Sequence, residues 1–228
     1  MSYTYVLLDA DGTLFDFERA ESHSLEQAFR DLGHTYLPSF LATYKRVNKE
    51  MWRRLERGEI SSDVMRIERF RMFCDEARAP IDPHAMSERY LEHLSRADFL
   101  LDGALELVKT LAGVARLSII TNGLTEVQRG RFSRSPIRAY LSDVVISDEV
   151  GIQKPLRGIF DLALEHLGCG DRSTALMVGD SLSSDIAGGI NAGIDTCWYN
   201  PAGVVIAGEL RPTYVVSRLE EIGSIVRG

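Results

Sequence analysis

The chain has 228 residues, 45% of them hydrophobic and 26% charged, with a formal net charge of −7. That length can bury a substantial core, in one large domain or in one domain carrying an insertion. The acidic balance argues against a nucleic-acid polymer as partner, because such binding rests on many Lys and Arg contacts to phosphate, whereas a small phosphorylated ligand needs only a few local cations.

Val6-Leu7-Leu8 reads as a buried strand that ends at Asp9-Ala10-Asp11-Gly12-Thr13, with Gly12 supplying the turn. Alternation along a strand points Asp9 and Asp11 the same way, so two carboxylates are expected together beyond its carboxyl end. Like charges that close repel unless a proton or cation intervenes. A divalent metal is the natural remedy, and an aspartate nucleophile beside an aspartic acid is the natural use. An acidic pair on a surface loop is the alternative.

From Phe15 to Ser95 the texture changes to charged residues with periodic apolar positions. Leu25, Ala28, Phe29 and Leu32 keep helical spacing, as do Met65, Arg69, Met72 and Phe73 around Phe70. Breaks fall at Pro38, Gly58 and Pro80 to Pro83, which predicts a bundle of roughly four helices. A helix from Gly103 to Leu111 follows, and then strand, loop and helix alternate. The strands are Leu117–Ile120, ending at Thr121-Asn122-Gly123; Val144–Ile146, followed by Lys154-Pro155 and a helix Gly158 to Leu167; Ala175–Val178, ending at Gly179-Asp180; then Thr196–Tyr199 and Tyr214–Val216. Short apolar strands alternating with helices imply an α/β fold, a doubly wound parallel sheet covered on both faces. The helical block, residues 15–95, is then an insertion after the first strand, and 1–14 with 96–228 form the α/β core.

Ligands of an open α/β sheet bind beyond the carboxyl ends of its strands, and every polar cluster named above lies at such an end. Asp9 with Asp11, Thr121 with Asn122, Lys154-Pro155, and Gly179-Asp180 with Asp185 occur in this order, each on a fitting element. In these motifs the chain resembles a haloacid dehalogenase-like hydrolase of the magnesium-dependent phosphatase kind, over nearly its whole length, with the helical insertion placed like that superfamily's cap domain. Within the superfamily it most resembles nucleotidases acting on pyrimidine nucleoside 5′-monophosphates, including non-standard ones. That narrower likeness rests on cap segments such as Trp52-Arg53-Arg54-Leu55-Glu56-Arg57-Gly58-Glu59 and Glu68-Arg69-Phe70.

The resemblance implies Asp9 as nucleophile, forming an aspartyl-phosphate. Mg²⁺ would take a carboxylate oxygen of Asp9, the backbone carbonyl of Asp11 and the carboxylate of Asp180. Asp11 would serve as general acid and then as base. Thr121 would bind a phosphate oxygen, helped by the backbone N–H groups of Asn122 and Gly123, and Lys154 would bridge Asp9 and the phosphate. Pro155 suits the first position of a helix, so the Lys154 ammonium is expected at a helix N-terminus, a location favourable to anions. Asp185 could complete the metal's surroundings, orient Lys154, or be a plain charge at a helix start. Gly188, Gly189 and Gly193 are read as packing glycines around the helix after Asp180.

Specificity is expected from the cap, where Trp52, Phe70, Tyr90, Arg53 and Arg69 could contact a base; helical spacing alone predicts instead a packed stripe or a solvated face. The five histidines lack metal-ligand spacing and are read as structural or surface residues. No GxxxxGK or GxGxxG fingerprint occurs, which disfavours an ATPase or a dinucleotide enzyme. Sugar-phosphate or phosphoglycolate phosphatases and phosphomutases share the same core residues and stay open. Asp11 speaks against a metal-free dehalogenase. Lys45 and Lys49 lie in no motif suggesting a phosphonate hydrolase, and the intact Asp9, Asp11, Lys154 and Asp180 speak against an inactive phosphate-binding module. Cys74, Cys169 and Cys197, odd in number and far apart, suggest reduced thiols. With no basic, apolar leader and no run near the ~20 apolar residues that span a bilayer, a cytoplasmic protein without a membrane partner is expected. The oligomeric state is not readable.

Overall fold

Six short apolar runs form one parallel sheet in the computed structural model, which describes residues 2–206 and 208–228. These are β1 (Tyr5–Leu8), β2 (Arg116–Thr121), β3 (Asp143–Ile146), β4 (Ala175–Gly179), β5 (Asp195–Tyr199) and β6 (Tyr214–Val216). Each matches the run expected from the sequence to within one residue at either end. Their order is β3-β2-β1-β4-β5-β6, with every neighbouring pair parallel. The fold is therefore α/β and doubly wound.

The helices, in chain order, are α1 (Phe17–Asp31), α2 (Pro38–Glu56), α3 (Ser62–Ala77), α4 (Pro83–Arg96), α5 (Ala104–Ala112), α6 (Thr125–Arg134), the single turn α7 (Ser147–Val150), α8 (Arg157–Leu167), α9 (Ala187–Ala192) and α10 (Glu220–Arg227). Strand alternation divides the sheet's core. Val6 and Leu8 of β1 join Leu117, Ile119, Leu176 and Val178 on the face covered by α5 and α10. Leu7 points the other way, joining Ile120, Val145 and Met177 beneath α8 and α9. Both faces are closed, as continuous apolar strands require.

The chain divides into two units. The α/β unit takes in the described residues through Phe17, Phe99–Thr125 and Phe132–Gly228; the helical unit is Glu18–Asp98 with Glu126–Arg131. The division thus falls a few residues later than expected, and residues 126–131 associate with the helices although the sequence placed all of 96–228 in the core. Local chemistry accounts for that. Glu126 pairs with Arg66 at 3.0 Å, and Gly130 lies so close to Ser95 that a Cβ would stand 2.6 Å from its carbonyl oxygen.

Within the helical unit, the predicted breaks coincide with capping chemistry. Pro38 opens α2, Asp82 accepts from the Ala85 N–H at 2.9 Å just before Pro83 opens α4, and Ser61 accepts from the Val64 N–H at 3.3 Å to cap α3. Leu25, Phe29, Tyr44, Phe70, Phe73 and Tyr90 are all buried there, and the Tyr44 and Phe70 rings stack at 5.3 Å. The three cysteines are free. Among the described residues no helix is long and apolar enough to cross a membrane.

Two of the glycines read as packing residues do that work. A Cβ on Gly188 would lie 2.4 Å from the Phe160 ring, and one on Gly189 would lie 2.5 Å from Thr196 Cγ2. Gly193 differs: nothing lies within 4 Å of its would-be Cβ, and it ends α9 with φ of 71°, so it serves backbone geometry. Replacing Gly188 with Ala should therefore destabilise by about 1–3 kcal/mol through overpacking, despite Ala's better helix propensity. Urea unfolding checks this; a variant as stable as the parent would contradict the tight contact.

Candidate active site

In the order β3-β2-β1-β4-β5-β6 the winding direction reverses between β1 and β4, the place where an open sheet leaves a crevice. Asp9 follows β1 directly, and its N–H still donates to Val178 O of β4 at 2.9 Å. The strand goes no further. Gly12 has φ of 83°, its N–H donates to Phe15 O at 3.0 Å, and Leu14 and Phe15 both donate to Ala10 O, closing a tight loop. Gly12 thus makes the expected turn. Strand alternation, however, does not reach Asp11: Asp9 is buried, while Asp11 sits half-buried in the loop, bridged to Phe15.

Lys154 lies far away in sequence but is buried against Asp9. Its Nζ stands 2.5 Å from Asp9 Oδ1 and 2.7 Å from Asp185 Oδ1. Burial works against the ammonium, but Asp185 and then Asp9 outweigh it and hold the group above the ordinary lysine range. The expected placement at a helix N-terminus is corrected. The Lys154–Pro155 peptide is cis and belongs to a turn closed by Leu156 N–H to Gln153 O, and α8 begins only at Arg157. The neighbouring carboxylates, not a helix end, hold the charge.

Thr121, the last residue of β2, is buried, and its Oγ1 accepts the Gly123 N–H at 3.2 Å. The Gly123 N–H expected to face phosphate is thus directed at Thr121. Asn122 takes a part that sequence reasoning missed. Its side-chain Oδ1 accepts from the Lys154 N–H at 2.8 Å and its Nδ2 donates to Lys154 O at 2.9 Å. One amide therefore pairs with both backbone groups of Lys154, as a neighbouring strand would.

Asp180 and Asp185 come from the segment after β4. Asp185 lies in a π-helical turn, Leu182–Ile186, fully buried, and its Oδ2 accepts from the Ser181 N–H at 3.0 Å. Asp180 is exposed, yet partial loss of hydration, then the charge of Asp185, push its carboxyl up to about 7. Burial likewise raises Asp9, with Lys154 pulling it back and Asp185 and Asp180 adding to the rise. Two glycines make room. A Cβ on Gly12 would meet Asp180 Oδ2 at 2.6 Å, and one on Gly179 would meet Asp185 Oδ2 at 2.2 Å.

Asp9, Asp180 and Asp185 each offer a carboxylate oxygen within 4.8 Å of the others. Among the described residues, the Lys154 ammonium contacts two of these three carboxylates, Asp9 and Asp185, and not Asp180. The donor set is all oxygen, hard and anionic, and leaves charge uncompensated, which suits Mg²⁺. Asp11 stands outside that trio but near enough for its charge to act on Asp180.

Among the helical-unit candidates, Phe70, Tyr90 and Arg69 are buried in their own unit. The Arg69 guanidinium lies 5.0 Å from the Phe70 ring centroid and 5.1 Å from that of Tyr90, and donates to Asn48 Oδ1 at 3.2 Å. They are core residues, as helical spacing alone predicted. Trp52 is partly exposed and Arg53 exposed. His93 and His166 pair with Asp31 and Asp143 at 2.7 and 2.6 Å.

The raised Asp180 has a consequence for stability. A carboxylate that titrates near 4 when unfolded and near 7 when folded leaves the native state holding more protons between those values, so stability falls as pH rises through that window. Without divalent cation, Asp180→Asn should become more stable than the parent as pH goes from about 4 to 7. Thermal unfolding at several pH values reads this, and a difference that stays flat with pH would contradict the assignment.

Comparison with known proteins supplies relatives. Residues 3–193 match the haloacid dehalogenase-like hydrolase family. The pyrimidine 5′-nucleotidase YjjG of Escherichia coli is 37% identical over 226 residues, covering 99% of both chains. The pyrimidine 5′-nucleotidase PynA of Streptococcus pneumoniae is 33% identical over 97% of this chain and 94% of its own. A magnesium-bound crystal structure of the HAD-hydrolase YfnB of Bacillus subtilis superposes with a TM-score of 0.92 at 33% identity, over 99% of each chain. A family match across most of the chain, relatives aligned from end to end and this arrangement of Asp9, Lys154, Asp180 and Asp185 agree: the chain belongs to the haloacid dehalogenase-like hydrolases.

Proposed function

We propose that the protein is a Mg²⁺-dependent phosphomonoesterase whose substrates are pyrimidine nucleoside 5′-monophosphates. The observation that carries the chemistry is the buried ammonium of Lys154 between Asp9 and Asp185, beside Asp180, at the sheet's switch point. The nucleotide class rests on YjjG and PynA, two pyrimidine 5′-nucleotidases aligned with nearly the whole chain.

Asp9 and Asp180 would hold the cation together with the backbone carbonyl of Asp11. Bound there, Mg²⁺ supplies positive charge that lets an anionic nucleophile approach an anionic phosphate. A free Oδ of Asp9 attacks phosphorus as the ester oxygen departs, and Asp11 gives that oxygen its proton. Asp11 then takes a proton from water, which attacks the aspartyl-phosphate, releasing inorganic phosphate and restoring the Asp9 carboxylate. Lys154 keeps Asp9 in place and offers fixed positive charge to the transferring group. Thr121 donates its hydroxyl proton to a phosphate oxygen. Asp185 orients Lys154 through the 2.7 Å contact. The helical segment 15–95, in this reading a cap, would select the leaving group.

Phosphate release across a panel of nucleotides, sugar phosphates and phosphoglycolate tests the proposal. Uridine and thymidine monophosphates should be turned over fastest, and preference for a hexose phosphate or phosphoglycolate would overturn the nucleotide assignment. Asp9→Asn should lower kcat by at least about 10⁴-fold with circular dichroism unchanged; retained turnover would remove Asp9 from the role of nucleophile.

A further inference from the structure

The β4–β5 ladder ends at the pair Gly179 and Trp198. The residue after β4 is Asp180, and its carbonyl lies past the last strand partner. That carbonyl is nevertheless taken up: Trp198 Nε1 donates to Asp180 O at 2.8 Å. Trp198 itself is buried within the sheet, 4% exposed, so its donor is held in a fixed place. The carboxylate of the same residue is bounded on two more sides, by Thr13 Oγ1 at 3.5 Å from Oδ1 and by Gly12, which has no Cβ to collide with Oδ2. Asp180 is the exposed member of the three-carboxylate group, without the ammonium contact that fixes Asp9 and Asp185. Its position must come from elsewhere.

We propose that Trp198 is a positioning residue for the cation site, its indole N–H extending the β-ladder by one bond so that Asp180 presents its carboxylate to the metal. This rests on the reading that Asp180 is a metal ligand. Mg²⁺ coordination tolerates little deviation from octahedral geometry, so a ligand freed to wander costs affinity. Losing one net hydrogen bond corresponds to roughly three- to tenfold in binding.

Calorimetric titration of Mg²⁺ into the full-length protein, without substrate, tests this. Trp198→Phe should weaken Mg²⁺ binding about three- to tenfold, and activity lost at low Mg²⁺ should be restored by excess Mg²⁺. Cys197→Ala, a cavity on the same strand with no bond to Asp180, should lose stability and keep wild-type affinity. In a Trp52→Phe background, replacing the remaining tryptophan by benzothienylalanine removes the N–H while preserving the ring; it should reproduce the weakened binding and guards against a Phe variant that fails to fold. Unchanged affinity in the donor-free forms, or affinity that falls with stability in Cys197→Ala as well, overturns the proposal. Absence of Mg²⁺ binding in the unmodified protein overturns the cation reading beneath it, and is distinguished by that first titration.

Discussion

One buried lysine contacts two of three clustered carboxylates, and the remainder of the site is arranged around that imbalance. Ions taken from water into a protein interior lose several kcal/mol of hydration each, recovered only by close partners. Lys154 recovers it for Asp9 and Asp185 at 2.5 and 2.7 Å. Asp180 gains no such contact and holds its proton up to about pH 7. Partial loss of hydration and the charge of Asp185 raise the Asp180 carboxyl, and carboxylates crowded in this way form a site whose charge a divalent cation can relieve.

The sheet creates this crowding and backbone devices make it precise. Parallel winding that reverses between β1 and β4 brings Asp9 and Asp180 side by side from residues 171 positions apart. The loops that carry the charges have no ladder of their own, and side chains of neighbouring elements replace it. Asn122 pairs with both peptide groups of Lys154 and Trp198 closes onto Asp180 O, while within the segment after β4 the backbone N–H of Ser181 holds Asp185. Gly12 and Gly179 contribute by absence, since a methyl group at either would strike a carboxylate. Rigid placement of this kind is what electrostatic catalysis needs, because charges already aimed at the reacting group require no reorganisation.

Much of this was legible in the sequence. Buried strands bounded by turn residues are local signals, and all six strands lie where the apolar runs fall. Motif order then gave Asp9, Lys154, Asp180 and Asp185 a common edge. What escaped was of two kinds. Hydrogen bonds such as Asn122 to Lys154 and Trp198 to Asp180 join residues 32 and 18 positions apart and follow no period. Lys154 was expected at a helix start because Pro155 suits that position, yet the chain turns through Gln153–Leu156 first and the ammonium finds carboxylates. In the helical unit, periodicity could mark Arg69 within an apolar stripe but not that its guanidinium would lie against the rings of both Phe70 and Tyr90.

In the proposed function Asp9 carries the phosphoryl group, and a divalent cation is required for it to do so. Acid quenching during turnover, followed by peptide mapping with mass spectrometry, observes that step. The phosphoryl group should appear on Asp9 with Mg²⁺ present and vanish when the cation is chelated. Label on another residue, or on Asp9 in the absence of any divalent cation, would contradict the account.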